Sequence, residues 1–427
     1  MGILEFNIPF INAFLNNFKE QFSKKQFNVF KAASYSLLKE YSRNCLSRMA
    51  GRAKCDYQAF QYFFSEARWS HNTLNTRRLE ILRNQRTTAS TPNGVLVIDD
   101  TSAPKPYAKA TQGAKYQHCS SLNRQEVCNV AVASAFSSPT KYFPINFKFY
   151  EPAGSFEYGK YDDAFDSKIG LAKKLVSDAL EKKIKFKSVV MDSWYASNDL
   201  LEYIDNNELA FVVDLKPNRR VLFYHPAERR HCWVKQNELV KLVRSYYRHK
   251  LKPVKISHPN GYKRSFWSYS FKSRLKECGV KIRVVLLFGD FSDEDSKSIH
   301  LLATNDLKSY VPGIVSQYSL RWGIERIFKE LKDIFYFDQY QVRHRKQIER
   351  YWMLCFVAWT LVYWAKQNGC LSKTIDKRLS SFNDYKKAID SLLILSSTAA
   401  ISKNGDYIYA LYAIKSKNIK NTVALPA

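Results

Sequence analysis

Three acids in this chain stand where phosphodiester chemistry can use them. Asp100 and Asp192 each close a short apolar run, and Glu325 sits among cations in a helical stretch. The runs Val95-Leu-Val-Ile-Asp99-Asp100-Thr101 and Ser188-Val-Val-Met-Asp192 read as buried strands that end abruptly in acids. Open α/β sheets place their sites at such carboxyl ends. Phosphodiester cleavage or transfer needs a nucleophile made from water or a 3′-hydroxyl, and a means of neutralising the leaving oxygen. Two divalent ions about 3.5 to 4 Å apart supply both. Mg²⁺ takes oxygen ligands and keeps several waters, so a few convergent carboxylates suffice. Mg²⁺ is the expected cofactor, with Mn²⁺ able to replace it. Asp99 competes with Asp100 for the first position, because successive strand residues point to opposite faces.

The spacing predicts one helix from Tyr318 to Lys332. At about 100° per residue, Tyr318, Arg321, Glu325 and Lys332 fall near 0°, 300°, 340° and 320°. Leu320, Ile324, Ile327, Phe328 and Leu331 occupy roughly 180° to 280°. Such a helix buries one side and carries a polar stripe along its edge, a carboxylate among cations. An ordinary (i, i+4) pair on a solvated face, worth a few tenths of a kcal/mol, has the same Arg321 to Glu325 spacing.

Tyr318, two residues, Arg321, three residues, Glu325, six residues, Lys332, with Trp322 after the Arg and Ile324 before the Glu, resembles the signature of the hairpin-forming insertion-sequence transposases of the IS-four superfamily. The resemblance spans about residues 95 to 365. It implies a DDE triad of Asp100, Asp192 and Glu325 as metal ligands and catalytic residues. Asp100 is preferred to Asp99 because the family's first Asp often directly precedes a Thr, as Asp100 precedes Thr101. It also implies that Tyr318, Arg321 and Lys332 grip phosphate near a flipped-out base. Arg suits a bidentate contact and Lys a point charge. Stacking on that base fits Trp322, Trp233 or Trp267. The implied activity is cleavage of transposon ends through a hairpin, followed by strand transfer. The implied partners are terminal inverted repeats and target DNA, held by a homodimer on paired ends in a prokaryotic cytoplasm, at the nucleoid. The alternatives are a transposase-derived DNA-binding protein that no longer cuts, and a metal-dependent nuclease without strand transfer.

Elements that could position these residues follow in order. Val95–Thr101 is one strand, and the runs 127–136 and 141–150 are antiparallel successors. A helix over 166–185, the strand ending at Asp192, a helix over 196–204 and a strand over 211–215 complete a ribonuclease-H-like α/β sequence of elements. Asp192 and Glu325 are 133 positions apart, far more than that fold needs. The surplus, with strand-like runs at 265–271 and 280–287, reads as a mainly β insertion, and the resembled superfamily carries one here. The expected domains are a helical DNA-binding region over 1–90, a first core part over 91–215, the β-rich insertion over 216–300, a second core part with the Glu-bearing helix over 301–370 and a helical region over 371–427. The N-terminal region, with Arg77, Arg78, Arg83 and Arg86, is either a DNA-end-binding domain or a helical cap.

Composition agrees with a polyanionic partner. Lys plus Arg number 67 against 39 acids among 427 residues, a net charge of +28, and the excess runs along the whole chain. Lys105 and Lys109 follow the first acidic strand in a basic loop suited to a DNA backbone. The eight cysteines form no CxxC pair and sit at no zinc-finger spacing, which reads as scattered reduced thiols in a cytosolic protein. The apolar run from Tyr351 to Ala365 falls short of the roughly 18 residues a membrane span needs, and no secretory signal is expected. Glycine-rich phosphate loops, HExxH and GxSxG are absent from the sequence.

Overall fold

The computed structural model describes residues 8–39, 45–257, 263–289, 299–371, 379 and 381–399. Helices α1 (Pro9–Asn16), α2 (Lys24–Lys39), α3 (Leu46–Arg52), α4 (Tyr57–Ser65) and α5 (His71–Arg83) come first. Strands β1 (Val95–Pro104), β2 (Lys115–Cys119), β3 (Arg124–Ser137) and β4 (Tyr142–Tyr150) follow, then α6 (Lys168–Glu181), β5 (Ser188–Met191), α7 (Asn198–Asn206) and β6 (Ala210–Asp214). Next are β7 (Val221–His225), β8 (Arg230–Val234), α8 (Gln236–Tyr246), β9 (Lys252–Ser257), β10 (Lys263–Arg274), β11 (Lys281–Phe288) and β12 (Ile299–Thr304). Helices α9 (Val311–Ser319), α10 (Trp322–Phe335), α11 (Arg345–Gln367) and α12 (Phe382–Ala399) close the described chain. The fold is mixed α/β, as expected. Contacts divide it into two compact units, one of residues 90–101 and 130–327, the other of 1–89, 102–129 and 328–427.

The first of these units is built on a sheet. The order along it is β3-β1-β5-β6-β12-β11-β10-β9, with β4 pairing β3. β5 runs parallel to both β1 and β6, and its register with β1 is Leu96↔Val189, Val97↔Val190 and Ile98↔Met191. All six of those side chains are 0% exposed, the near-continuous apolar pattern of strands covered on both faces. Two sequence expectations change here. β1 runs on to Pro104, so Asp99 and Asp100 lie inside a strand, at the point where its ladder with β5 stops, because β1 continues beside β3. Among the described residues of 216–300 the hairpin β7–β8 is a sheet of its own, while β9, β10 and β11 extend the main sheet through β12, which pairs antiparallel with β6. Residues 258–262 and 290–298 of that stretch lie outside the described residues.

Among the described residues, the other unit is helical apart from β2, the adjoining ends of β1 and β3, and the connecting turns. Helices α1, α2, α4, α5 and α12 pack against α11. From Ile348 to Ala365 nearly every side chain of α11 is buried, which is why the run is apolar on all sides. No described helix is long and apolar enough to cross a membrane. Gly369, with φ at +62°, ends the α11 segment in the left-handed conformation that glycine adopts without strain. Arg78, one of the four arginines read as DNA-facing, is 0% exposed. It donates to Thr360 Oγ1 at 2.9 Å and twice to Asn75 Oδ1.

Candidate active site

The parallel register brings the acids together. Ile98 pairs with Met191, so the next residues of the two chains, Asp99 and Asp192, leave the ladder side by side. Asp192 Oδ1 accepts from the Trp194 amide at 2.9 Å and from the Tyr195 amide at 3.3 Å, which fixes it in the turn after β5. Asp99 meets the third acid through a cation. Arg321 Nη1 lies 2.7 Å from Glu325 Oε1 and 3.6 Å from Asp99 Oδ2. Asp100 has partners of its own, though it lies near enough to Asp99 and Asp192 for its charge to act on both. It accepts from Lys168 Nζ at 2.9 Å and from the Tyr195 hydroxyl at 3.1 Å.

Burial and crowding raise the proton affinity of Asp99 and Asp192. Asp99 is pushed up to about 7, first by desolvation and then by the charges of Asp192 and Asp100, against the opposing pull of Arg321. Asp192 is raised by desolvation, with the Tyr195 and Trp194 amides acting against it. A free Asp titrates near 3.9. The folded state therefore holds an extra proton between about pH 4 and 7, so this group's contribution to stability is complete below about pH 4 and is lost as pH rises through 7. In thermal melts of protein in EDTA, Asp99→Asn is expected to flatten the fall in Tm between pH 5 and 8. A fall as steep as that of the wild type would remove Asp99 as its source.

Glu325 is placed by a helix start that the wheel did not anticipate. The expected continuous helix is two, α9 and α10, joined by a turn at Leu320 and Arg321. Amides there bond three residues back, as Arg321 N does to Tyr318 O at 3.0 Å and Ile324 N to Arg321 O at 3.2 Å. The tighter turn takes Tyr318 off the stripe of α10, while Arg321 still faces both neighbours, its guanidinium 5.9 Å from the Tyr318 ring centre. Gly323 permits the close seating of α10, since a Cβ there would stand 2.3 Å from Ser137 Oγ and 2.7 Å from its Cβ. Ile324, Ile327 and Leu331 form the buried side. Arg321 Nε is buried with no hydrogen-bond partner, a spare donor within the cluster.

The other residues singled out in the sequence have varied surroundings. Trp322 is half exposed next to Arg321, its ring centre 5.8 Å from the guanidinium carbon. Trp233 on β8 and Trp267 on β10 are each partly exposed. Lys332, Lys105 and Lys109 belong to the helical unit. Lys332 Nζ donates to Ser121 Oγ at 2.5 Å. Lys105 turns inward, donating to the carbonyls of Asp338 and Tyr340 at 2.7 and 2.8 Å over the Tyr340 ring. Two of its three ammonium hydrogens are thus spent on the fold, which sets it apart from the exposed Lys109. Sequence reasoning missed Lys168, Trp194 and Tyr195. The last two directly follow Asp192 as Asp-Ser-Trp-Tyr and were open to notice; Lys168, sixty-eight residues beyond Asp100, offers no local signal.

The donor chemistry suits a hard divalent cation: carboxylate oxygens only, one of them held protonated to about pH 7 first by its burial and then by its acidic neighbours. Asp99, Asp100, Asp192 and Glu325 would hold such an ion. Among the described residues no three acidic, His or Cys side chains are already gathered as a ligand set; Arg321 and Lys168 stand against the carboxylates.

Comparison with known families agrees with this geometry. The model of the DDE superfamily endonucleases matches residues 17–232, half of the chain, and that of the transposase DDE domain matches residues 165–361. No curated protein matches the chain. DDE transposases generally use divalent metal ions, the class of cofactor that the carboxylates accommodate. An acid-lined junction of parallel strands, a Glu-bearing helix joined to it through Arg321 and both family matches lead to one conclusion: the chain belongs to the DDE superfamily of endonucleases and transposases, enzymes that act on DNA.

Proposed function

We propose that this protein is a transposase of the IS-four type that cleaves transposon ends through a hairpin and joins them to target DNA. The observation that carries the reading is the convergence on Arg321 of Glu325 and the strand acid Asp99, beside Asp192. The order β4-β3-β1-β5-β6, with β1, β5 and β6 parallel, supports a ribonuclease-H-like core, with 216–300 inserted before the Glu-bearing helix.

In this reading Asp192 and Glu325, with Asp99 and Asp100, hold divalent ions, Mg²⁺ in the cell and Mn²⁺ as a substitute. The ions supply an activated nucleophile and stabilise charge on the leaving oxygen. Arg321 offers a planar pair of donors to the scissile strand, Tyr318 flanks it, and the exposed face of Trp322 suits stacking on an unpaired base. Lys332 and Lys109 add backbone contacts, and Lys105 supports the loop that carries Lys109. A homodimer would pair two inverted repeats in a prokaryotic cytoplasm, at the nucleoid.

The test is end-labelled duplex carrying the element's terminus, incubated with Mg²⁺ and resolved on a denaturing gel. A nick followed by a hairpin is expected. Arg321→Ala is expected to lose hairpin formation at least about tenfold more than first-strand nicking, since folding the freed 3′-hydroxyl back demands a held, distorted strand. Blunt ends without a hairpin from the wild type would leave a nuclease or a transposase of another type. Equal loss of both products in Arg321→Ala would remove its special role.

A further inference from the structure

Two cations of this chain stand against the proposed metal-binding carboxylates. Arg321 serves Asp99 and Glu325, and Lys168 serves Asp100. Lys168 lies within the residues that both family models match, and its surroundings are specific. It is the first residue of α6, and its neighbour Ser167 caps that helix by accepting from the Gly170 amide at 3.0 Å. Its ammonium lies 5.4 Å from the Tyr150 ring centre and 5.2 Å from that of Trp194, and Trp194 in turn sets an edge on Tyr195 at 4.9 Å. The same Tyr195 donates to the other oxygen of Asp100. Two aromatic rings and one carboxylate thus frame a single Lys head, and the Tyr195 hydroxyl holds the carboxylate's other oxygen.

Two features mark this pair as exchangeable rather than structural. Both side chains keep 17% exposure, and the adjoining Trp194 is 44% exposed, so a ligand has access from solvent. Lys carries its charge on a flexible four-carbon stem, which can swing while its methylenes stay against the rings. An ammonium 2.9 Å from a carboxylate oxygen also occupies a direction from which a divalent ion would approach that oxygen. A phosphate offers the ammonium another acceptor of equal sign.

We propose that Lys168 is a DNA-phosphate-binding residue of this site, whose ammonium leaves Asp100 for a backbone oxygen of bound DNA and so frees that carboxylate for a divalent cation. The inference rests on the functional reading above. Metal and DNA then bind cooperatively, and DNA-free protein holds metal weakly because its own cation competes.

The experiment measures two quantities on Lys168→Met, whose stem can still pack between the rings. One is Mn²⁺ binding to DNA-free protein, read from the electron paramagnetic resonance signal of free Mn²⁺. The other is the salt dependence of DNA binding, read by fluorescence polarisation in EDTA. Mn²⁺ affinity is expected to rise about tenfold, since a like charge beside the site is gone. The slope of log affinity against log salt is expected to fall by about one, the loss of one phosphate contact. Lys168→Arg keeps the charge and should stay near wild type in both. Unchanged or weaker Mn²⁺ binding by Lys168→Met, or an unchanged salt slope, overturns the proposal and makes Lys168 a fixed partner of Asp100. If circular dichroism shows Lys168→Met unfolded, Lys168→Gln is held to the same two results. A wild type whose DNA complex binds Mn²⁺ no better than that of Asp192→Ala overturns the functional reading as well, so the two failures are distinguishable.

Discussion

Asp192→Ala and Glu325→Ala are each expected to lower the rate of Mg²⁺-dependent cleavage of end DNA on the order of a thousandfold or more, equivalent to about 4 kcal/mol of barrier. In the proposed site each removes an oxygen ligand, and the remaining acids are held in place: Asp192 is pinned by two backbone amides and Glu325 lies in the first turn of α10. DNA binding should persist, because neither change removes a cation from a chain of net charge +28. Gel-shift and cleavage assays on the same preparations check both halves. Retained cleavage in either variant would remove that acid from the site.

The same assay applied to Asp99→Ala and Asp100→Ala resolves the choice between adjacent acids. The register sets Asp99 beside Asp192 and facing Arg321, whereas the Asp-Thr resemblance favours Asp100. The four-carboxylate site proposed here requires both to lose activity. Normal cleavage by Asp100→Ala would reduce the set to Asp99, Asp192 and Glu325, and normal cleavage by Asp99→Ala would leave the triad implied by resemblance.

The second large effect concerns stability. Arg350→Ala is expected to destabilise the helical unit by about 3 to 5 kcal/mol, lowering its Tm by roughly 6 to 20 °C. Arg350 is 2% exposed on α11 and donates to four carbonyls, those of Phe63 and Phe64 from Nη1 and of Ala67 and Trp69 from Nη2, at 2.6 to 3.0 Å. Its guanidinium also lies 4.5 Å from the Trp69 ring centre. These bonds gather the carboxyl end of α4 and the chain that leads into α5. Truncation strands buried acceptors, each costing about 1 to 3 kcal/mol less any relaxation. Lys should restore little, since one ammonium cannot reproduce the planar fork. Differential scanning calorimetry of the full chain decides it, and a Tm shift under about 2 °C would show that water replaces the guanidinium at small cost.

Elements whose signal is local were legible in the sequence. β5, α6, α7, β6 and α11 lie close to where periodicity put them, because apolar spacing reports directly which face is covered. The strand acids stood out because a carboxylate at the end of a run of three or four apolar residues contradicts its surroundings, and Glu325 because Arg321 is four residues upstream and Lys332 seven downstream. Pairings across the chain were not legible. β2 is polar and mostly exposed, so no alternation marked it. Nothing local reveals that β9 to β11 join the main sheet, since an edge that extends a sheet and one that starts another use the same residues. The break before Trp322 follows from how closely Gly323 seats α10 on Ser137, a contact between residues far apart in sequence. Arg78 and Lys105 look like surface cations until the fold supplies their acceptors. The amino-acid order by itself determined the chemistry available, carboxylates and phosphate-seeking cations on strands and helices of known type. Only the tertiary structure decided which carboxylate meets which cation, because strand register and helix seating are set by the sum of non-local packing and not by any one segment.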